Sequence, residues 1–585
     1  MSTIREEFRE PVRRTLRWML SLRDAQGRIV CPEHKVEHTG KSAGAAVMAA
    51  ILGELDDDDT LRAAALQQGE RMVANLVREG TSPCHTFRPG RHDPFNCSNS
   101  VIDGGACSDA LAELVHRLGP RMDGEQRERF RDASLLHART YLRYAVLDKG
   151  IPAQRAWGLS GLANAWTLER DETLERAALE AVGVLEGIQN ADGSYPYHPL
   201  EWGGAHAGCG DVSAFYQSRV TGFLLFALER LGRDPRDGLF AGPLERGLDF
   251  LLAMQGPDGI KAGLVEAKPW YWGATYEVAS NVFDVYAFAA GWRAFRRRSL
   301  ADAALRAFRA WAAHLEPDGR PRSHFDGHGR TKSYQCPVFW AAHAEWVARS
   351  FELLEQAAAS APSLARTVGQ GIDLRVGWFP NAELGRLEDD AVVAWVRGAR
   401  PGFNVHHGSP HGAGLIRVLR KSDGAELVTR CRLGGSQEAE WNGKAGLPAP
   451  LRGWRANKDE LRFSLWLARN HWRGERYGAA LRAPFAVAAR GLVAYAAPRV
   501  SSAFFLAPTA RVFGDSIVLT SGVAWRDGRP VPGVLLERTF QLDGSGLSVR
   551  ERRLRAPAGL DLAYSVPRAA RDVERDADEV RYRLA

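Results

Sequence analysis

The sequence predicts an (α/α)6 toroid followed by an antiparallel β-sandwich. Three observations lead there. Up to about residue 357, amphipathic Arg/Glu-rich segments alternate with segments that are apolar on most sides. A helix with a polar stripe faces water and one apolar all round is buried. The alternation recurs six times at intervals of roughly 50 to 65 residues, which marks an internal repeat. Beyond about residue 370 the hydrophobic period falls from near 3.6 to two.

The outer helices are expected in REEFREPVRRTLRWMLSL, TLRAAALQQGERMVANLV, GEQRERFRDASLLHARTYLRYAV, LERAALEAVGVLEGI, LERGLDFLLAM and ADAALRAFRAWAAHL. Their inner partners are GKSAGAAVMAAILGEL, SVIDGGACSDALAELVHRLG, AQRAWGLSGLANAWTL, SAFYQSRVTGFLLFALERLG, EVASNVFDVYAFAAGWRAF and PVFWAAHAEWVARSFELL. The stretches LRDAQGRI, IQNADGSY, MQGPDGIK and LEPDGRPR each place a Gly-containing turn after an outer helix. Such turns resemble those of terpene cyclases, protein prenyltransferases and carbohydrate enzymes built on α/α toroids, and they bear on fold rather than chemistry. LDDDDT at 55–60 reads as an N-cap with dipole-favoured acids rather than a terpene-cyclase motif.

The segment EQAAASAPSLARTVGQG reads as a linker, giving a catalytic toroid over 1–357, a linker over 358–372 and a β-sandwich over 373–585. Short runs such as AVVAWVRG, GLIRVLRK, DSIVLTSGVAWR and GVLLERTFQL, split by Gly, Pro and Asp, carry the sandwich assignment.

Composition excludes several classes. The 585 residues are 45% hydrophobic and 25% charged, ordinary for a globular chain of two or three domains. The formal net charge of +7 rests mainly on Arg, which suits carboxylates, sulfates and phosphates. No block of like charge resembles a nucleic-acid tail, so no nucleic-acid partner is expected. No apolar run approaches the roughly 20 residues of a membrane span. The N-terminal stretch MSTIREEFREPVRR has no apolar core, so no leader is expected and cytoplasmic residence is the default, a removed leader aside. Seven cysteines, an odd number, argue against a disulfide framework. Oligomeric state is left open.

Function is expected on the rim where loops lead into the inner helices. Five of these six loops are long and aromatic, unlike the short polar connections of an inert scaffold. They carry His34 and His38; His85, Arg88, His92, Asn96 and Asn99; Tyr195, Tyr197, His198, Trp202, His206, Tyr216 and Arg219; Trp270, Tyr271, Trp272, Tyr276 and Glu277; and His324, Asp326, His328 and Tyr334. Aromatic faces stack on sugar rings while Trp and Tyr edges hydrogen-bond. Trp202, Trp270, Trp272 and Tyr276, with His85, His206 and His407, are the expected substrate contacts.

A toroid followed by a β-sandwich resembles the heparinase II/III, alginate-lyase and chondroitin/hyaluronate-lyase enzymes. In the hyaluronate type, a D-G-S-F-x-x-H loop supplies a catalytic His and a Tyr opening the next inner helix supplies the acid/base. Here DGSYPYH runs from Asp192 to His198, and FYQSRVTGFLL follows with Tyr216. GIPAQRAWGLSGLANAW resembles the preceding helix, with Gln154 and Arg155 where the family has Asn; Asn99 is another candidate for that role. WFPNAELGRLEDDAVVAWVRG resembles the start of the heparinase II/III β-domain, with GFNVHHGSPHGAG (His406, His407, His411) where a His loop follows, in a departing pattern.

The resemblance implies β-elimination on an acidic, uronate-containing poly- or oligosaccharide, with no cofactor or metal required. Removing the C5 proton of a uronate needs its carboxylate neutralised and the resulting anion stabilised. Tyr216 is the expected acid/base, His198 the base, Arg219 the partner of substrate charge, and Gln154 or Asn99 the neutralising amide. Two alternatives stay open. Asp103, Asp211, Glu277, Asp284 and Asp326 are available for hydrolysis by paired carboxylates, though each reads more simply as a helix cap or solvated loop residue. A non-catalytic carbohydrate-binding or assembly protein is the other. Zinc at His406, His407 and His411 lacks an identifiable fourth ligand, and Cys84, Cys97, Cys107 and Cys209 lack C-x-x-C spacing.

Overall fold

The computed structural model describes residues 4–32, 37, 39–77, 84–85, 98–148, 150–198, 209–212, 214–262, 280–322, 337–360, 376–398, 413–429, 438–444, 499–505, 508–525 and 529–585, with short helical pieces between 465 and 485. The N-terminal region is helical and the C-terminal region is built of antiparallel sheets.

Amphipathic and all-apolar helices alternate as the periodicity predicts. The outer positions are α1 (Glu6–Ser21), α3 (Asp59–Ala74), α5 (Gly124–His137) continued by α6 (Arg143–Asp148), α8 (Glu172–Ile188), α10 (Ala241–Met254) and α12 (Arg298–Ala313). The inner positions are α2 (Thr39–Leu55), α4 (Ser98–Leu118), α7 (Pro152–Glu169), α9 (Ala214–Arg230) and α11 (Asn281–Phe295), with a sixth in three pieces: α13 (Pro337–Ala342), α14 (Glu345–Ala348) and α15 (Phe351–Ser360). On α1, Phe8, Val12, Leu16 and Met19 form the buried stripe while its Arg and Glu residues face out. On α2, every residue from Thr39 to Gly53 is buried. The inner helices close a ring: α2 packs on α4, α4 on α7, α7 on α9, α9 on α11, α11 on α14, and α14 back on α2. Small residues set that spacing, since a Cβ on Gly161 of α7 would collide with the backbone of Gly105 on α4.

The acidic run before α3 behaves as an N-cap. The Asp58 carboxylate accepts from the backbone N–H of Thr60 at 2.8 Å and of Leu61 at 3.2 Å. The Gly-containing turns after α1, α8, α10 and α12 each pack against the next outer helix, with Gly27 on Gln67, Gly193 on Arg246, Gly259 on Arg306 and Gly319 on Arg14. In the last of them, Gly319 has φ of +88° and lies against the backbone of Arg14 on α1, so the sixth outer unit is joined to the first. Thr15 donates from Oγ1 to the Gly319 carbonyl at 2.9 Å, completing that closure. Gly319→Ala combines a left-handed φ with a backbone collision, and it is expected to destabilise the protein by more than about 1 kcal/mol. Denaturant titration against wild type measures that loss.

Helix α15 extends to Ser360, so the expected linker begins helical; residues 361–375 lie outside the described residues. A five-stranded antiparallel sheet follows: β5 (Val376–Phe379), β6 (Leu384–Glu388), β7 (Val392–Arg397), β8 (Gly414–Arg420) and β9 (Glu426–Thr429), in sequential order. A six-stranded sheet is built from Thr509–Phe513, Ser516–Ser521, Leu535–Leu542, Leu547–Arg555, Arg571–Arg575 and Glu579–Leu584. A four-stranded sheet is built from Glu440–Lys444, Arg499–Ser501, Ala524–Trp525 and Asp561–Ser565.

The five-stranded sheet is buried on both faces, and β7 shows why the period of two matters. Val392, Ala394 and Val396 join the core shared with the other sheets, whereas Val393 and Trp395 join the helical core. A bulge in β8 inserts Ile416 opposite the Trp395–Val396 step, turning both Ile416 and Arg417 toward the helices. Three side chains then satisfy carbonyls left open at the end of α10 and in the turn beyond it. Arg386 donates to the carbonyls of Leu252, Ala253 and Gln255 at 3.2, 2.9 and 3.0 Å. Trp395 Nε1 donates to Ala253 at 2.9 Å, and Arg417 to Ile260 at 3.1 Å.

Candidate active site at the mouth of the helical ring

The first two turns of all six inner helices meet in one buried layer. Lys41 of α2 places Nζ 3.3 Å from Asp103 Oδ1 of α4, and over the rings of Trp157 (α7) and Phe339 (α13) at 4.9 and 4.5 Å. The Arg219 guanidinium of α9 lies 4.3 Å from the Phe283 ring of α11, 5.3 Å from Trp157 and 5.5 Å from Tyr216. Lys261, in the turn after α10, donates to Asp284 Oδ1 of α11 at 2.6 Å. His343, at the break between α13 and α14, packs among Trp157, Phe283 and Phe339 with ring centroids 5.3, 4.9 and 4.7 Å away. Three cations and two carboxylates thus share one aromatic-walled layer.

The electrostatics follow from burial. Burial pushes the Asp284 carboxyl above its ordinary value, against the pull of the Lys261 ammonium. Burial holds the His343 imidazole well below its ordinary value, and the Lys41 and Arg219 charges add to that effect. His343 is therefore neutral at pH 7.

Below this layer the ring is filled rather than open. Phe223, Phe226, Tyr286 and Trp346 pack against one another, with centroids between 4.6 and 6.1 Å apart. Deeper still is an ionic floor. Arg349 donates to Asp109 at 2.7 Å and to Glu113 at 3.2 Å, and Arg230 reaches Glu113 at 2.8 Å. Arg117 links Glu113 to Glu54 at 2.7 and 2.6 Å, while Asn164 donates to Asp109 at 2.6 Å. Burial raises the Glu345 carboxyl beside Arg349 to about 7. The polar layer therefore lies toward the N-terminal ends of the inner helices, with the aromatic plug and the ionic floor toward their C-terminal ends.

The expected site residues divide as follows. Tyr216 is half-buried near the start of α9, and its ring stacks on Tyr197 with centroids 5.3 Å apart at 29°. Arg219 is one turn further on and only 1% exposed. Gln154 lies in the first turn of α7, half-buried, with Oε1 unpartnered among the described residues. Arg155, beside it, points away and donates to the Val146 carbonyl. For His198 the backbone lies in β3 (Pro196–His198), which pairs with β4 (Cys209–Val212). Asn99 lies on α4, and His85 in β2 (Cys84–His85), which pairs with β1 (Leu76–Val77); the side chains of His198, Asn99 and His85 are outside the described residues. Trp202, His206, Trp270, Trp272, Tyr276 and the loop with His406, His407 and His411 are also outside them.

Asp192, which opens DGSYPYH, has a structural task. Its Oδ1 accepts from Ser194 N at 3.1 Å, and its Oδ2 accepts from Asn381 and Ala382 N–H at 2.8 and 3.1 Å. This ties the motif to the β5–β6 turn.

Two expectations need correction. Asp103 and Asp284 are neither helix caps nor solvated loop residues; they are buried in ion pairs with Lys41 and Lys261. Lys41, Trp157, Lys261 and His343 were not singled out from the sequence. A signal was present, because a Lys inside GKSAGAAVMAAILGEL or a His inside PVFWAAHAEWVARSFELL interrupts a helix that must be buried all round.

No protein-family model and no curated protein matches the chain. Among solved structures it is similar to a family 88 glycosyl hydrolase from Bacteroides vulgatus, at 12% identity and a TM-score of 0.43, covering 60% of this chain and 99% of that one. It is also similar to a polysaccharide lyase at 12% identity and a TM-score of 0.42, covering 60% and 98%. A third similar structure is a cellobiose 2-epimerase from Bacillus thermoamylovorans, at 11% identity and a TM-score of 0.42, covering 58% and 99%.

Proposed function

We propose that the protein cleaves an acidic, uronate-containing poly- or oligosaccharide by β-elimination at the mouth of its helical ring. The observation that carries this reading is the pairing of Tyr216 and Arg219, a phenol and a guanidinium one turn apart on α9, in the layer where all six inner helices meet. Gln154 adds, in the first turn of α7, an amide whose oxygen has no partner among the described residues.

In this scheme His198, one residue after the Tyr197 that stacks on Tyr216, takes the proton from C5 of the uronate. Arg219 offsets the substrate carboxylate, and Gln154 or Asn99 stabilises the anion that forms when C5 loses its proton. The electron pair then forms the C4=C5 double bond, the C4–O bond breaks, and Tyr216 gives its proton to the departing oxygen. Trp202, Trp270, Trp272 and Tyr276 serve as stacking platforms, with His85, His206 and His407 as polar contacts. Residues 1–357 form the catalytic toroid in this reading, and 373–585 the β-sandwich behind it, in a cytoplasmic enzyme.

Asp103 and Asp284 favour a second reading. Two buried carboxylates in the same layer, one of them raised by burial, are the groups a glycoside hydrolase would use.

The substrate class is tested by incubating the full chain with acidic polymers (hyaluronan, alginate, chondroitin sulfate) and with neutral glucans. Cleavage confined to the acidic set is expected. Equal or better cleavage of neutral glucans would contradict the role given to Arg219, and binding without cleavage would point to a carbohydrate-binding protein.

A further inference from the structure

We propose that His343 contacts the substrate, taking one neutral hydroxyl of the bound sugar rather than its carboxylate. This rests on the carbohydrate reading above. His343 is 1% exposed, and neither ring nitrogen has a hydrogen-bond partner among the described residues. The neighbouring charges are accounted for differently, with Lys41 beside Asp103 and Lys261 beside Asp284. An imidazole with both nitrogens unmade in a buried site costs stability, and such a group calls for a specific explanation.

Its surroundings select the ligand. Trp157, Phe283 and Phe339 wall the ring, with Trp340 6.2 Å away, and offer it no hydrogen bond. Burial, reinforced by the Lys41 and Arg219 charges, keeps it neutral, so it presents one N–H and one lone pair. A sugar hydroxyl, donor and acceptor at once, matches that pair. A carboxylate would use only the N–H and would be better served by the two cations. A metal ion would be repelled by them. His343 also stands where the sixth inner helix breaks, which frees it from the regular helical arrangement of α13 and α14.

The test compares full-length His343→Phe and His343→Gln with wild type, in thermal melting and in turnover of hyaluronan, alginate and chondroitin sulfate oligosaccharides. Phe fills the aromatic box without a desolvated polar group, so its Tm is expected to be unchanged or higher. Its kcat/KM is expected to fall at least about tenfold, with Gln recovering part of the loss. Wild-type kcat/KM in His343→Phe overturns the proposal. So does a Tm about 5 °C lower in both variants, which would show that His343 serves packing or a structural hydrogen bond. If wild type turns over none of these oligosaccharides, the carbohydrate reading fails separately. The melting comparison then still decides whether His343 is held at a cost to stability.

Discussion

Tyr216→Phe is expected to lower turnover on the true substrate by roughly 10²- to 10⁴-fold, the usual worth of a positioned acid–base group. The change removes one hydroxyl and leaves the ring. The stacking on Tyr197 and the contact with the Arg219 guanidinium both involve that ring, so fold and substrate binding should persist. KM is expected to change little while kcat falls. A steady-state comparison with wild type, alongside a melting curve, measures both. A packing role predicts near-normal rates instead, because Phe packs as Tyr does at this half-buried position.

Arg349→Met is expected to have the largest effect on stability, about 3–5 kcal/mol, because it strips a buried cation from two buried carboxylates. Burial alone would raise the Glu113 carboxyl, yet Arg349, Arg230 and Arg117 hold it well below its ordinary value. Burial and the Glu113 charge raise Asp109, with Arg349 opposing them. In wild type the depressed Glu113 contributes stability that is present above its unfolded value and lost as pH falls through the folded one. In the variant both carboxyls move upward and take protons in the folded state more readily than in the unfolded one. The penalty should therefore be greatest at neutral pH and shrink as pH drops toward 4. Urea denaturation midpoints at several pH values measure this. A penalty that is constant with pH would show that Arg349 acts through packing against Phe226 and Trp346.

The alternating helices and the change to antiparallel sheet were legible because their signals are local and repeated. Six alternations of stripe and all-round burial, four Gly-containing turns and a change of period each follow from backbone geometry. Asp58 as an N-cap was legible for the same reason, since a cap is decided within four residues. Candidate residues were legible only beside loops. Tyr216, Arg219 and Gln154 open inner helices that follow Gly- and aromatic-rich segments, and that position is what singled them out. Lys41, Asp103, Asp284 and His343 sit within helices, and their meaning depends on which turn of which neighbour they face. Lys41 is 62 residues from Asp103 and 302 from His343 along the chain, and only ring closure brings them together. The bulge at Ile416 was similarly hidden, because an extra residue in one strand shows only against its partner.

The most direct test of elimination at the ring mouth is the ratio of chromophore to new chain ends. Wild-type protein is incubated with an acidic polymer that it cleaves, and ultraviolet absorbance of unsaturated uronate is measured alongside new reducing ends. The account predicts one unsaturated residue for every bond broken, with both signals falling together in Tyr216→Phe. Reducing ends that appear without the chromophore, and that vanish in Asp103→Asn or Asp284→Asn while Tyr216→Phe keeps its rate, would contradict it.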